Sequence, residues 1–433
     1  MRRVRSGICI LLTCFLVFTS YFPSFGQNAA NEEDKTTQQE QKKVVKYDLK
    51  ALSDRLVAEN ATIKKLNIDK ELLKIKYEDN LKEYNDLSIQ AEQYEEFFSG
   101  LETNIAYADK AIKETTNPTE RQQMEIYKQN LLYSYVSIYS QNINLFKQQL
   151  SMMQSMEALK LQQKQLPQRI ENEIAVEKFK LQKDYYTLCM LDQQLQLLKQ
   201  DLANARKTLD LEKAKVGLNL STQLNVTALE NQERALSLSV QQMENTINMA
   251  IDDLKTKVGI PLEEGLNIEL KIPTDSVLKD YSLSKLLTQF KEKNLELESI
   301  KSQSSVLKTV YERSKLAYDK ENNKIRIAEL EYQQSLLDEA ALEKDLEAYV
   351  KQVYYQYLQA KNDLFHKKLS QKLYEDNERI LDIKFGQGLI SELTYTLQKQ
   401  EAQKFYVEVK QAVVTYENMK KQIELVEKGI IVK

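Results

Sequence analysis

The feature of this sequence that most limits its fold is the scarcity of glycine and proline, with nine and five among 433 residues. Both residue types interrupt regular secondary structure, so long intervals without them permit very long elements. Between these residues, apolar side chains recur at steps of three and four, as at Leu188, Leu191, Leu195 and Leu198. This spacing places them on one stripe of a helix. The sequence therefore predicts an all-α fold with few or no β-strands.

The glycine and proline positions predict where helices end. The expected breaks are at Ser99-Gly100, Asn117-Pro118, Pro167, Gly217, the stretch 259–273, Gly386 to Gly388, and Gly429. The first half contains more of these breaks than the second, which leaves room there for an additional hairpin.

Two short segments of the sequence, 215–227 and 384–396, are similar at a constant offset of 169 residues (215 to 384). Lys, Gly, Leu, Leu and Thr coincide, and each segment lies between two long helical patterns. Each is expected to be a tight turn. Gly217 or Gly386 ends the first helix in a left-handed conformation, and Thr222 or Ser391 caps the returning helix. Short turns of this kind join antiparallel helices.

A second pair of similar segments, at Asn60 and Asn294, opens a long helical stretch in each half. The sequence therefore predicts two repeated long antiparallel helical hairpins, over residues 47–258 and 282–433. Residues 259–281 form the predicted connector, in which 267–272 alternate apolar and polar residues as a short edge strand does.

The N-terminus has the pattern of a secretory signal peptide over residues 1–26, with a basic start, an apolar run at 8–18 and small residues before Gln27. The apolar run is too short for a good transmembrane helix. A lipoprotein signal cleaved before Cys14 is the alternative. Residues 27–46 are polar and without periodicity, which predicts a disordered leader. We therefore expect an exported protein of the cell envelope.

The sequence offers no pattern of catalytic chemistry. It contains no phosphate-binding loop, no cluster of metal-ligating residues and no nucleophile motif. Cys189 lies in an apolar stripe, where a thiol is buried and inert, and the single histidine, His366, lies on a polar helix. The net charge of −3 gives no basis for nucleic-acid binding. We expect no enzyme activity and no cofactor.

Three segments resemble motifs of the TolC family of outer-membrane efflux proteins. The residues 215–230 resemble the family's periplasmic tip turn, 385–393 resemble the same turn of its second repeat, and 258–262 resemble the end of its first repeat. The resemblance covers about residues 47–430, and the order and spacing of the motifs are more specific than any one of them.

This resemblance implies a homotrimer in which helices from all three chains together form a hollow cylinder. An adaptor protein, coupled to an inner-membrane pump, would dock at the tip turns, and small molecules or proteins would be exported through the lumen. The implied docking residues are Val216, Gly217, Leu218, Thr222, Phe385, Gly386, Gly388 and Ser391.

The sequence departs from the family where its members carry two membrane strands per half. Residues 325–335 are charged and helix-like, and residues 131–139 have apolar side chains at helical spacing. Both stretches are therefore predicted to be helical, with strands reduced or missing. This leaves open a second function, that of an exported coiled-coil scaffold or binding protein of the envelope without a channel, and leaves membrane contact undecided.

Overall fold

The computed structural model describes residues 46–274, 276–317 and 323–432. The signal peptide expected over 1–26, and all but the last residue of the leader expected over 27–46, lie outside the described residues. The described elements are β1 (Lys46–Tyr47), α1 (Leu49–Glu59), α2 (Ala61–Glu114), α3 (Pro118–Gly217), α4 (Gln223–Lys257), β2 (Asn267–Ile268), α5 (Leu283–Lys293), α6 (Leu295–Ala317), α7 (Asn323–Gly386) and α8 (Glu392–Val426). The all-α prediction is confirmed.

The helices form two corresponding sets, α1–α4 and α5–α8. In each set a short helix bends into a longer one at an asparagine, which confirms the Asn-led pattern. The side-chain oxygen of Asn60 accepts a hydrogen bond from the Ile63 amide at 3.1 Å. The side-chain oxygen of Asn294 accepts one from the Leu297 amide at 2.8 Å. Both asparagines therefore cap the helix that follows them.

Each set closes on a glycine in the left-handed region, Gly259 at φ 67° and Gly429 at φ 77°. Each glycine lies beside the asparagine bend of its own set. The Arg55 guanidinium donates to the Gly259 carbonyl at 3.0 Å, and the Asn294 side-chain amide donates to the Gly429 carbonyl at 2.9 Å. We refer to these two places as the first junction (Asn60 with Gly259) and the second junction (Asn294 with Gly429).

The long helices pack side by side around α3. We call the end with the α3–α4 and α7–α8 turns the tip end, and the end with the α2–α3 and α6–α7 connections the distal end. Toward the tip end the order of neighbours is α4, α3, α8, α7, and toward the distal end it is α2, α3, α6, α7. Within the described residues, α2 and α4 each pack extensively on α3 alone. One side of α2, α4 and α7 is therefore free of extended helix packing.

The apolar core is concentrated between the two ends, where α1, α5 and the connector cover the long helices. Tyrosines attach the connector there. The Tyr416 hydroxyl donates to the Val277 carbonyl at 3.0 Å, and the Tyr185 hydroxyl donates to the Glu269 carbonyl at 2.5 Å. The connector contributes β2, which pairs in parallel with β1 at 46–47 and covers only the first two residues of the short strand predicted over 267–272.

The structure corrects two of the predicted breaks and confirms the helical stretches. Gly100 lies inside α2 and Pro167 inside α3; a single glycine costs about 1 kcal/mol relative to alanine, which helix packing offsets. The first half contains no additional hairpin among the described residues. The distal hairpin of the first half is instead longer, since α2 has 54 residues against 23 in α6, and α3 has 100 against 64 in α7. Residues 131–139 and 325–335 are helical, as predicted.

Candidate functional site

The two tip turns are built by the same backbone hydrogen bonds. In the first turn, the Leu220 amide donates to the Lys215 carbonyl at 2.8 Å and the Asn219 amide to the Val216 carbonyl at 3.0 Å. In the second, the equivalent bonds are Leu389 to Lys384 and Gly388 to Phe385, each at 2.9 Å. This pair of bonds is the Schellman arrangement of a helix C-terminus. The repeat found in the sequence is thus a repeat of turn geometry.

The residue in the left-handed conformation is not the one expected. Gly217 and Gly386 are the last residues of α3 and α7, and neither has a positive φ. The left-handed positions are two residues further on, at Asn219 (φ 58°) and Gly388 (φ 69°). Asparagine tolerates this conformation better than most residues. The sequence repeat did not reveal the position that reverses the chain, because it is asparagine in the first turn and glycine in the second.

The predicted caps differ in outcome. The Ser391 side chain accepts a hydrogen bond from the Thr394 amide at 3.2 Å, so that prediction is confirmed. Thr222 occupies the N-cap position of α4, but its side chain makes no capping hydrogen bond, and that prediction is wrong. In the first turn the neighbouring Ser221 donates to the Glu212 carboxylate instead. This bond and Lys215 hold the pKa of Glu212 below its usual range.

An ion pair joins the two arms of each tip, with its charges reversed between the repeats. In the first repeat, Lys213 on α3 pairs with Glu230 on α4 at 3.0 Å. In the second, Asp382 on α7 pairs with Lys399 on α8 at 2.8 Å, and both positions obey the 169-residue offset. Lys399 and the Tyr395 hydroxyl lower the pKa of Asp382. The ion pair is thus present in both repeats with its acidic and basic residues exchanged, so the two pairs share no identical residue at the 169-residue offset.

The tip turns expose several leucines, of which only Leu218 is among the predicted docking residues. Seven of the eight predicted docking residues are exposed and Val216 is half-buried. The most exposed apolar side chains at the turns include Leu218, Leu220, Leu224 and Leu389, at 70, 73, 78 and 67%. Leu220 and Leu389 coincide at the 169-residue offset, so the repeat itself was the signal for them. Both tips therefore present apolar side chains to solvent on rigid turns.

An open groove lies between the two hairpins near the tips. Its volume is about 410 Å³ and it is bounded by α3 and α8, with Asn204, Leu211, Glu392 and Leu397 among its lining residues. Asn204, which lines this groove, donates through its side-chain amide to the side-chain oxygen of Gln400 at 3.1 Å. None of the eight predicted residues lines the groove. No sequence pattern indicates this groove, because it forms only where the two repeats meet.

Away from the tips, the potentially reactive side chains Cys189 and His366 lie in surroundings that indicate packing or surface roles. Cys189 is buried in the apolar core, where burial raises the pKa of its thiol to about 11, and His366 is exposed beside Phe365. Within the described ranges, no group of three His, Cys, Asp or Glu side chains is placed to hold a metal ion. Across the described helices, none combines the length and apolar character that a membrane span requires.

No protein-family model and no curated protein matches this sequence. Solved structures are similar to it. A membrane protein from Pseudomonas aeruginosa is 9% identical, with 88% of this chain and 90% of that chain covered and a TM-score of 0.52. CusC, described as forming a transmembrane channel, is 12% identical over 88% of this chain and 95% of its own, with a TM-score of 0.49.

The Campylobacter jejuni outer-membrane channel CmeC is 12% identical over 64% of this chain and 68% of its own, with a TM-score of 0.45. At such low identity, the similarity to the Pseudomonas aeruginosa protein establishes a shared fold. The two lower scores add nothing to that conclusion.

Proposed function

We propose that this chain is a component of a TolC-type efflux duct, which exports small molecules or proteins across the cell envelope with an adaptor and an inner-membrane pump. The observation that carries the proposal is the pair of geometrically equivalent tip turns with exposed leucines. Exposed apolar groups clustered on a soluble surface mark contact sites for other proteins. The role is one of passage and docking rather than catalysis.

The docking surface comprises the predicted tip residues together with the groove between α3 and α8. Rigid Schellman turns fix the leucines in one geometry, which limits the entropy lost when a partner binds. The groove supplies polar groups, such as Asn204 and Glu392, beside the apolar Leu211 and Leu397. An adaptor helix with a short apolar face flanked by polar side chains fits this surface.

The free sides of α4 and α7 support a closed assembly of several copies, and we propose the homotrimer implied by the resemblance. Leu238 on α4 and Ile380 on α7 are 55 and 50% exposed. Cross-helix contacts place them at one level of the layer, through Arg206–Glu233, Asn204–Gln400 and Lys399–Asp382. An edge that packs on a different edge of the next copy generates a ring when the rotation closes.

Charged replacement of the tip leucines tests the docking role. Leu220→Glu combined with Leu389→Glu should abolish efflux of a fluorescent substrate from cells that depend on this chain. The circular-dichroism helix signal should be unchanged, because both side chains are exposed. The matched control is Leu262→Glu with Val277→Glu, two exposed apolar residues at 55 and 78% in the connector. Undiminished efflux in the tip variant would refute docking at the turns.

A second function, that of an exported coiled-coil scaffold, is favoured by the helical distal end, where residues 131–139 and 325–335 belong to α3 and α7. Fractionation after expression separates the two functions. Trimeric protein that requires detergent and is found with the outer membrane supports the duct. A soluble exported monomer supports the scaffold.

A further inference from the structure

The distal part of the α2–α3 hairpin is a two-helix antiparallel coiled coil. Shielded residues recur there at every third or fourth position, and these positions form what we call the α2–α3 seam. Phe98 and Tyr135 meet in it with ring centroids 5.1 Å apart. Its members in the distal part are Ala91, Tyr94, Phe98, Leu101, Ile105 and Ala108 on α2, and Met124, Lys128, Leu131, Tyr135 and Ile138 on α3. Alternating steps of three and four are the spacing of a coiled coil.

A second stripe with the same spacing runs along α3, one residue after the seam positions and therefore about 100° around the helix. We call its members, Leu132, Val136, Tyr139, Ile143, Phe146, Leu150 and Met153, the α3 stripe. From Ile143 to Met153 these side chains are half-buried. On this side of α3 lies α6, whose Arg313 guanidinium reaches the Met153 sulfur at 3.0 Å.

The α3 stripe continues past the described end of α6 and is exposed there. Leu132, Val136 and Tyr139 are 43, 62 and 54% exposed. The same row of side chains thus packs toward a helix in its lower part and faces solvent in its upper part. Exposed apolar side chains also flank the stripe, among them Ile126 and Tyr133 at 54 and 69%, but the three-and-four spacing of the stripe itself is the contact pattern of a single helix. The upper stripe is therefore shaped for a helix.

Among the described residues, no helix covers the upper stripe, since its three side chains are exposed. The segment 318–322 has five residues, which extend at most about 18 Å and must also join α6 to α7. Between residues 27 and 43 the sequence contains no apolar residue larger than the two alanines Ala29 and Ala30. Neither segment can supply a row of apolar side chains that would cover the stripe.

We propose that a helix of the distal hairpin of a second copy of this chain covers Leu132, Val136 and Tyr139. The choice of occupant rests on the side-by-side assembly proposed above. Each copy contributes four helices to the layer through most of its length but only the α2–α3 hairpin above α6 and α7. Copies held together lower down therefore leave distal hairpins as the nearest helices to one another, and these hairpins converge on their exposed stripes.

Site-specific photocrosslinking in the full-length exported chain tests this inference. A photoreactive amino acid at Val136 should give a covalent product of twice the chain mass. The same group at Ser134 should give at least tenfold less, because Ser134 is exposed but lies two residues before Val136 and therefore on the opposite side of the helix. A product with another protein or with lipid, or no product at Val136, would overturn the inference.

A charge variant provides the second test. Leu132→Glu with Val136→Glu should reduce crosslinking from a photoreactive group at Tyr139 at least tenfold. Ile126→Glu with Tyr133→Glu, two exposed substitutions beside the stripe rather than in it, should leave it within twofold. Equal loss in both variants would show that added charge, rather than the stripe, matters.

A disulfide test of the lower edge separates this inference from the proposed ring. Leu238→Cys with Ile380→Cys should link copies through α4 and α7. Edge linkage without crosslinking at Val136 would refute the distal contact and leave the ring intact. Crosslinking at Val136 without edge linkage would refute the side-by-side ring instead.

Discussion

The two halves of this protein agree closely at their tips and junctions and differ in the length of their distal hairpins. The distance from the junction asparagine to the tip glycine is 157 residues in the first half (60 to 217) and 92 in the second (294 to 386). The agreeing regions depend on particular backbone bonds and positive-φ residues. The differing region depends on a repeating seam, which can be lengthened by heptads without new geometry. The tips and junctions, which depend on specific bonds, are therefore the same in both halves, whereas the distal hairpins, which depend on periodic packing, differ in length.

The junction glycines should show the largest effects, and unequal ones. An alanine Cβ at Gly429 would lie 2.5 Å from the Lys293 carbonyl carbon, whereas at Gly259 it would lie 3.0 Å from the Glu59 side chain. A side chain yields more easily than backbone. We expect Gly429→Ala to lower the free energy of unfolding by about 3 kcal/mol or more, and Gly259→Ala by about 1–2 kcal/mol.

Urea unfolding followed by circular dichroism measures both values. Gly386→Ala is the control, since that residue is helical and an added Cβ meets nothing within 4 Å. It should be neutral or slightly stabilising. Equal losses at Gly429 and Gly259 would contradict the claim that the second junction is the more tightly packed.

The junction asparagines sharpen the same comparison at a smaller scale. Asn294 is 4% exposed and both caps α6 and binds the Gly429 carbonyl. Asn60 is half-buried, and its side-chain amide donates to the Glu177 carboxylate, which is a side chain rather than backbone. We expect Asn294→Ala to cost about 2–3 kcal/mol, because a buried carbonyl loses its donor. Asn60→Ala should cost about 1 kcal/mol. The same urea titration measures both, and a larger loss for Asn60→Ala would contradict this account.

The tip ion pairs should contribute little to stability individually. Lys213→Glu should cost about 0.5 kcal/mol, and adding Glu230→Lys should restore it, because the pair is largely exposed and screened by salt. The reversed pair of the second repeat shows that this polarity is acceptable in the same geometry. A double variant less stable than the single one would show that the polarity matters. In the second repeat the depressed pKa of Asp382 means that its contribution is present above the unfolded pKa and is lost as pH falls through the folded pKa.

The sequence predicted those parts of the fold that a single chain segment determines. Helical spacing and scarce breakers were sufficient for the long helices, and Asn60 and Asn294 marked the bends. Gly100 and Pro167 were misread as breaks because packing along neighbouring helices outweighs a local penalty of a few kcal/mol. The groove between α3 and α8, like the contact of Gly429 with Lys293, was not predictable, because it depends on how separate segments meet.

A matched shortening of the distal hairpin should have the smallest effect. Removing residues 92–98 and 138–144 takes one heptad from each arm at the same level, since Tyr94 of the first segment bonds to Gln141 of the second at 3.0 Å. The remaining seam positions stay in register, so the thermal midpoint of the core should change by less than about 2 °C.

Removing 92–98 alone shifts one arm of the hairpin by a heptad against the other. Side chains that do not match then face each other in the seam, and the α2–α3 turn is displaced. Amide hydrogen exchange should then accelerate in the part of the distal hairpin beyond residue 91, while the amides of the two junctions keep their protection. Equal damage from the matched and unmatched deletions would show that the distal hairpin depends on specific contacts, as the junctions do, and the contrast between the two kinds of region would fail.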